Sequence, residues 1–267
     1  MSSKKNNQIS KKSSNNPDDK LKTHLYHARK AECFATMETG VAHDYSNFLT
    51  AILGNISIIL NGLPEDAPLR RNAEQVESAA LKALELTNLL CECSGHVNAD
   101  MLPVNITDTI NNMKPELRAM VPEEINLDFK LGANLPEVSG NVNFLKQLVT
   151  NLVSNAAESL QDENGQITIS TGTLECNPSY CMNLYFAEKL PNGQYVYVDV
   201  SDNGQGISDA IEDRIFDPFF STKIRGKGLG LPTVMGILRA HHGGIKVDST
   251  PGKGSSFRVL LPATTRA

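Results

Sequence analysis

The first third of the chain carries apolar residues at the spacing of an amphipathic helix. Between about residues 25 and 60, apolar positions follow one another at steps of three or four residues. They are Phe34, Met37, Val41, Tyr45, Phe48, Ile52, Ile56 and Ile59. This spacing predicts a helix with one apolar stripe. A second helical pattern covers about residues 68 to 93, after the helix-breaking segment NGLPED. We therefore predict a helical hairpin, and because one hairpin cannot cover its own stripe, two chains would close a four-helix bundle as a homodimer.

After about residue 98 the pattern changes to short alternating strands separated by helices. The segment SGHVNADMLPVN is typical of a linker. Strands are predicted at 125–131, 166–171, 195–201, 244–249 and 256–262, and helices at 104–120, 141–160 and 230–241. This mixture predicts a two-layer α/β sandwich with helices on one face of a sheet. The fold class is therefore α+β, with a polar tail (1–20), a helical hairpin (21–97) and an α/β domain (98–267).

Composition excludes several classes of protein. The 267 residues carry a net charge of -5, which argues against a general nucleic-acid binder. Residues 2–20 are almost entirely polar, and a disordered tail is favoured there over a basic arm. No run approaches the length of a membrane helix, and no signal peptide is visible, so we expect a cytoplasmic protein without membrane insertion. The five cysteines lack metal-binding spacing and are expected to be reduced thiols.

The segment VAHDYSNFLT places His43, Asp44 and Asn47 inside the first helical pattern. His43 lies two residues after the stripe residue Val41, about 200° around the helix, and so faces away from the bundle core. Asn47 follows one turn later on the same face. Asp44 is close enough to orient the imidazole through one nitrogen. Taken alone, the same residues also fit a solvated polar helix face.

A second polar series occurs in QLVTNLVSNAAESL. Gln147, Asn151 and Asn155 recur every four residues, while Leu148 and Leu152 occupy the opposite side. A solvated stripe is one interpretation. Because Asn lowers helix propensity without a packing return, a polar pocket wall is favoured.

Two glycine-bearing segments complete the candidate pocket. SDNGQGISD follows a predicted strand, where it would form either a tight turn or a ligand loop. FSTKIRGKGLGLPTVMGIL leads into a helix start, where backbone N–H groups and the helix dipole favour phosphate. Each segment is weak evidence by itself. Together with QLVTNLVSNAAESL before them and IFDPFF between them, in this order, they favour a nucleotide pocket.

In these segments the chain resembles the catalytic core of two-component sensor histidine kinases, in the class that includes nitrogen-regulation sensors and many hybrid kinases. The resemblance covers about residues 25 to 263. VAHDYSNFLTAI resembles the H-box, NLVSNAAESL the N-box, DNGQGI and GKGLGL the two glycine boxes, and FDPFF the F-box. The fold that it implies is a phosphotransfer hairpin followed by an ATP-binding domain of the histidine kinase and gyrase type.

The resemblance implies catalytic roles for the residues of the hairpin. His43 would be the phosphoacceptor that attacks the γ-phosphate of ATP, and Asp44 would orient its ring. Asn47 matches the position that orients a water for dephosphorylation of the partner regulator. Asn155 would hold Mg²⁺, with Asn151 beside it.

The resemblance also implies the remaining contacts to ATP. Asp202 would accept a hydrogen bond from the adenine amino group. Phe219 and Phe220 would anchor the nucleotide lid, and Lys223 or Arg225 would add positive charge near the phosphates. The other implied nucleotide-binding positions are Gly204, Gly206, Gly226, Gly228, Leu229 and Gly230.

The implied function is an ATP-dependent protein histidine kinase, a phosphotransferase that passes its phosphoryl group to an aspartate in the receiver domain of a separate response regulator. Phosphatase activity towards that regulator would be an additional activity. The alternatives are a dimeric phosphatase or scaffold without autokinase activity, and a gyrase-type ATPase, against which the HDYSN segment argues. Only 42 residues precede His43, so we expect input either through a separate sensor protein or by a signal acting on the core. At position 158, where many relatives carry a basic residue, this chain has Glu158.

Overall fold

The first described part of the protein is a helical hairpin. The computed structural model describes residues 44–64, 67–94, 100–160, 165–177, 184–185, 190–223 and 228–264. Helix α1 is described over residues 44–62, and helix α2 spans Arg70–Ser94. Arg70 donates from Nη1 to the carbonyl oxygens of Leu60 (3.3 Å) and Leu63 (2.9 Å). These bonds satisfy carbonyl groups that the end of a helix leaves unpaired, and they tie the start of α2 to the end of α1.

The predicted apolar stripe lies largely exposed on α1 of the single chain. Tyr45, Phe48, Ile52 and Ile59 are exposed, whereas Ile56 is buried. The earlier members of the stripe, from Phe34 to Val41, lie outside the described residues, as do the whole predicted polar tail (1–20) and residues 95–99 of the predicted linker. Helix α2 packs against helix α6 (Gly230–Ala240) of the α/β domain.

The remainder of the described chain is built on a five-stranded sheet. Its strands are β2 (Asn126–Leu131), β4 (Gln166–Cys176), β5 (Gly193–Asp202), β6 (Gly244–Thr250) and β7 (Gly254–Pro262). Their order is β2-β4-β5-β7-β6; β2 and β4 are parallel and the other pairs are antiparallel. Strands β1 (Leu102–Val104) and β3 (Val138–Gly140) form a separate two-stranded antiparallel sheet. The helices of this part are α3 (Ile106–Met120), α4 (Val142–Ser159), α5 (Asp209–Glu212) and α6.

Alternation along the strands directs apolar residues towards the helices. Val196, Val198 and Val200 of β5 are buried in the main core together with Leu148 and Leu152 of α4. This arrangement is the two-layer sandwich that the sequence predicts. All five predicted strands and all three predicted helices of this part are present. The pair β1 and β3 was not predicted, because three-residue strands are too short to show alternation.

A second, smaller cluster lies on the opposite face of the sheet. It contains Cys176, Leu184, Tyr195 and Leu260, so the chain between β4 and β5 brings Leu184 onto this face. The next residue, Tyr185, donates its backbone N–H to the carbonyl oxygen of Ile245 in edge strand β6, at 2.9 Å. The connection between β4 and β5 therefore reaches from this face to the edge of the sheet.

The side chain of Tyr185 joins this connection to the segment after β5. Its hydroxyl donates to a carboxylate oxygen of Glu212 in α5, and its ring centroid lies 5.4 Å from that of Phe216. Burial, with the nearby Glu212 carboxylate, raises the pKa of Tyr185 well above its ordinary range, so the group stays a donor.

Within the part of the chain that the structure describes, no helix is long and apolar enough to cross a bilayer.

Candidate nucleotide-binding site

A cavity of about 600 Å³ opens between helix α4, the end of β5 and the start of α6. Asn151, Asn155 and Ser159 contribute the α4 wall. Asp202 stands at the end of β5, and Gly230 stands at the first turn of α6. The cavity therefore has an acidic end and an end where helix N–H groups are exposed.

Helix α4 is fixed so that its amide face lines the cavity. Asn141 caps its N-terminus, where the side chain accepts hydrogen bonds from the backbone N–H groups of Asn143 (3.0 Å) and Phe144 (3.3 Å). Leu148 and Leu152 are buried on the opposite side, which leaves Asn151 facing the cavity. The side-chain Nδ2 of Asn151 is buried and has no hydrogen-bond partner among the described residues. A buried donor without a partner beside a cavity indicates a site for an acceptor group of a ligand.

Asp202 is held by hydrogen bonds from two neighbouring elements. Its Oδ1 accepts from Ser159 Oγ at 2.9 Å and from the backbone N–H of Gly204 at 2.8 Å. Burial raises the pKa of Asp202, while bonds from Gly204, Ser159 and Ser255 and the charge of Lys223 act in the opposite direction. The result is a positioned carboxylate in the cavity wall, suited to accept from an N–H₂ group.

Glycine is required in the turn after Asp202. Gly206 has a positive φ of 68°, and a Cβ there would lie 2.2 Å from the carbonyl oxygen of Thr250. No other residue fits this close approach of the two backbones without movement.

The other end of the cavity is closed by the F-box segment and the start of α6. Phe219 donates its N–H to the carbonyl oxygen of Gly228 at 2.9 Å. This bond connects the F-box segment directly to the residues at the start of α6. Gly228 also has a positive φ, of 66°. Phe220 lines the cavity and lies under the guanidinium of Arg214, 4.2 Å from its ring centroid, whereas the side chain of Phe219 is exposed.

Lys223 crosses the cavity to helix α4. Its ammonium lies 3.1 Å from Asn155 Oδ1, 3.3 Å from the Asn155 carbonyl oxygen and 2.9 Å from Glu158 Oε2. Glu158 Oε1 in turn accepts from Ser154 Oγ at 3.3 Å. Glu158 therefore has a defined place in the site as the partner of Lys223.

The structure brings most of the predicted ATP-binding residues to one cavity. Those that line it are Asn151, Asn155, Asp202, Gly206, Phe220, Lys223, Gly228, Leu229 and Gly230. Gly204 does not line the cavity but donates its backbone N–H to Asp202, and Phe219 is not among the lining residues. His43, Arg225 and Gly226 lie outside the described residues. Asp44 and Asn47 lie on α1 and are not among the lining residues.

Several residues that line the cavity were not predicted as ligand-binding positions, and two of them, Ser159 and Glu158, contact predicted residues. Ser159, which donates to Asp202, continues the four-residue series of Gln147, Asn151 and Asn155 by one step. Extending that series would have found it. The pairing of Glu158 with Lys223 joins positions 65 residues apart, and no local pattern in the sequence signals it.

The donor set of the cavity fits a magnesium nucleotide. Mg²⁺ prefers oxygen ligands and commonly takes only one or two from the protein, with phosphate and water supplying the rest. Asn155 Oδ1 is such an oxygen at the cavity wall. Within the described ranges no three His, Cys, Asp or Glu side chains cluster as a complete metal site. The cavity therefore suits a metal ion that arrives with phosphate oxygens.

Comparison with protein families matches residues 140–265 to the family described as histidine kinase-, DNA gyrase B- and HSP90-like ATPase. This part of the chain is similar to that ATPase family. The matched region contains α4, β5 and α6, so the cavity described above lies in the ATPase domain.

Curated relatives extend the similarity across the hairpin. The sensor kinase CckA of Brucella abortus is 30% identical over 244 residues, 91% of this chain and 25% of the relative. The sensory histidine kinase/phosphatase NtrB of Azospirillum brasilense is 30% identical over 249 residues, 91% of this chain and 59% of the relative. The resemblance to the catalytic core of sensor histidine kinases is thus confirmed, and the chain spans a quarter to about three fifths of these two relatives.

A solved structure supports the fold. The crystal structure of full-length ShkA in complex with AMPPNP superposes with a TM-score of 0.62 at 21% sequence identity. It covers 87% of this chain and 46% of the ShkA chain. The ATPase domain and the helices before it therefore share the architecture of that protein.

Proposed function

We propose that the chain is an ATP-dependent protein histidine kinase that phosphorylates itself on His43 and passes the phosphoryl group to an aspartate of a separate response regulator. The observation that carries this proposal is the cavity of the ATPase domain. It combines an amide donor at Asn151 that has no partner among the described residues, a positioned carboxylate at Asp202 and the N-terminus of α6. The helical hairpin that precedes this domain supports the kinase over a gyrase-type ATPase.

The residues of the cavity divide into two groups by the part of ATP that they would contact. Asp202 would accept from the adenine amino group, and Asn151 would donate to a phosphate or ribose oxygen. Asn155 would hold Mg²⁺ through its side-chain oxygen, and the N–H groups at the start of α6 would face the phosphates. Bound Mg²⁺ neutralises phosphate charge, while the protein mainly supplies position.

The hairpin would supply the acceptor. His43 would attack the γ-phosphate, Asp44 would orient its imidazole, and Asn47 would serve in dephosphorylation of the regulator. The exposed stripe on α1 supports a homodimer in which two hairpins form a four-helix bundle. The division into a tail (1–20), hairpin (21–97) and ATP-binding domain (98–267) belongs to the same proposal.

Incubation of the purified protein with γ-labelled ATP and Mg²⁺ tests the proposal. The wild type should acquire an acid-labile, alkali-stable label, and His43→Gln should lose it while still binding nucleotide. Label that persists in His43→Gln would remove His43 as the acceptor. A wild type that binds nucleotide without becoming labelled would favour the dimeric phosphatase or scaffold instead.

A further inference from the structure

The ammonium of Lys223 contacts the side-chain oxygen of Asn155 through which a metal ion would bind. It is 3.1 Å from Asn155 Oδ1, the oxygen that the proposed function assigns to Mg²⁺, and 2.9 Å from Glu158 Oε2. We propose that the Lys223 ammonium occupies the Asn155 side of the pocket in the nucleotide-free protein, and that Mg²⁺ must displace it to bind. This inference rests on the proposed function, because it concerns how the same pocket accepts its metal.

The charges around Lys223 make this position stable in the nucleotide-free protein. The Lys223 side chain is 25% exposed, and its three acceptors all belong to helix α4. Glu158 supplies the compensating negative charge. Without this lysine, the carboxylate of Glu158 would stand unneutralised at the wall that receives the phosphates. Glu158 therefore holds Lys223 against Asn155.

An ammonium and a Mg²⁺ ion that both contacted Asn155 Oδ1 would lie only a few ångströms apart. Like charges at that separation repel strongly in a partly buried site. A Mg²⁺ ion bound through Asn155 would therefore require Lys223 to leave it, and the contacts of Lys223 with α4 would be lost. When Mg²⁺ is absent, Lys223 remains and supplies positive charge beside the phosphates. Lys223 and Mg²⁺ are therefore alternatives, and their effects on nucleotide affinity are negatively coupled.

This coupling distinguishes the proposal from a simple phosphate contact. A lysine that only touched phosphate would strengthen nucleotide binding with and without metal, although less with metal, because Mg²⁺ reduces the phosphate charge. A lysine that Mg²⁺ has to displace strengthens binding only when metal is absent and opposes binding of the metal complex. After Lys223 loses its charge, the affinity in chelator should consequently fall, while the affinity in Mg²⁺ should stay the same or rise.

Isothermal titration of ADP into the whole chain, once with excess Mg²⁺ and once with EDTA, measures both affinities and the ratio of the first to the second. We expect Lys223→Gln to increase the ratio about fivefold or more, through weaker binding in EDTA and no loss of affinity in Mg²⁺. A loss of affinity in Mg²⁺ as well would make Lys223 a simple phosphate contact and would overturn the inference. Lys223→Met is a second neutral variant should the first fold poorly. Lys246→Gln is the matched control, since Lys246 pairs with Asp248 on β6 and does not line the cavity.

The possible results separate the inference from the proposed function. An unchanged ratio in both Lys223 variants, with ADP still bound, would overturn the displacement of Lys223 and leave the proposed function intact. A wild type that binds no ADP under either condition would overturn both. A ratio that rises in the Lys223 variants and also in Lys246→Gln would reduce the effect to net charge and would equally count against the inference.

Discussion

At the scale of single residues, the cavity separates polar groups that the protein satisfies from groups that it leaves for a ligand. Asp202 is fixed by Ser159 and Gly204, whereas Asn151 keeps a buried donor without a partner in the described structure. The sequence predicted Asp202 and Asn151 because each stands in a recognisable motif. It did not predict the pairing of Glu158 with Lys223, because that contact joins elements distant in sequence. Ser159, which donates to Asp202, was missed although it continues the four-residue series of α4.

Asp202→Asn tests the acidic end of the cavity. The amide keeps an oxygen for Ser159 and Gly204 but replaces a charged acceptor by a neutral group that also carries donors. We expect about a 10- to 100-fold loss of ATP affinity, as is typical when a hydrogen bond to a charged group is lost. Calorimetry measures the change.

The control for this variant is Asp199→Asn on the same strand. Asp199 faces the other side of the sheet, where it accepts from Ser256 Oγ at 2.6 Å and from Arg258 Nη2 at 2.6 Å. Its substitution should leave ATP affinity unchanged. Equal losses in the two variants would trace the effect to the stability of β5 and not to contact with adenine.

His241 gives the fold a pH dependence. The buried imidazole accepts at Nε2 from the N–H of Asn141 (3.1 Å), and its Nδ1 lies 2.7 Å from the carbonyl oxygen of Ile237. It thereby joins the end of α6 to the cap of α4. Burial lowers the pKa of His241 below its ordinary value of 6.5, the nearby His242 acts in the same direction, and the bond to Ile237 opposes both.

Because the folded protein binds this proton less readily than the unfolded chain, the free energy of unfolding should fall as the pH drops through about 6.5. Urea unfolding between pH 5 and 8 measures the slope. His241→Gln should flatten it, whereas replacement of the exposed His242 by Asn should reduce it only slightly, since His242 is the smallest cause of the shift. A slope unchanged in His241→Gln would assign the pH dependence to other groups.

At the scale of elements, the pattern of the chain predicted every strand of the main sheet and every long helix of the ATPase domain. Asn141 and Asn105 mark the starts of α4 and α3 as caps, and alternation marks the strands. The short pair β1 and β3 escaped prediction, as did the connection between β4 and β5 that carries Leu184 and Tyr185, since neither has a periodic pattern.

The two glycine boxes contain glycines with different tasks, which single substitutions should separate. Gly206→Ala places a Cβ 2.2 Å from the Thr250 carbonyl oxygen at a positive φ. We expect it to lower the free energy of unfolding by about 2 kcal/mol or more. At Gly230 a Cβ meets nothing within 4 Å, and the residue lines the cavity. Gly230→Ala should therefore keep its stability but bind ATP more weakly.

Urea unfolding and calorimetry on both variants measure the two properties. A free energy of unfolding for Gly206→Ala equal to that of the wild type would contradict the close approach of this turn to Thr250. If Gly230→Ala bound ATP normally, the space in front of this glycine would not be occupied by the nucleotide.

At the scale of the whole molecule, the apolar stripe of α1 has no cover within the described single chain except around Ile56. Tyr45, Phe48 and Ile52 are all exposed large side chains. The sequence predicted the stripe from its spacing alone. The packing of α2 against α6, which brings the hairpin and the ATPase domain into contact, could not be predicted from the sequence. It depends on residues more than a hundred positions apart.

Phe48→Asp tests the stripe as a dimer interface. A carboxylate in the core of a four-helix bundle loses hydration without gaining a partner, and the apolar area of Phe48 is lost as well. We expect the mass measured by light scattering at micromolar concentration to change from dimer to monomer. Ile58→Asp is the control, since Ile58 is exposed but lies off the stripe, two residues beyond Ile56. A monomeric wild type would contradict the dimer.

The contact of Tyr185 with strand β6 has a consequence for association between molecules. β6 is the last strand of the sheet, and its outer edge carries carbonyl and N–H groups that a strand of another molecule could bind. The N–H of Tyr185 already binds the carbonyl oxygen of Ile245, the second residue of β6. The connection that covers the outer face thus also occupies the start of this edge, where a strand of another molecule would have to compete with Tyr185.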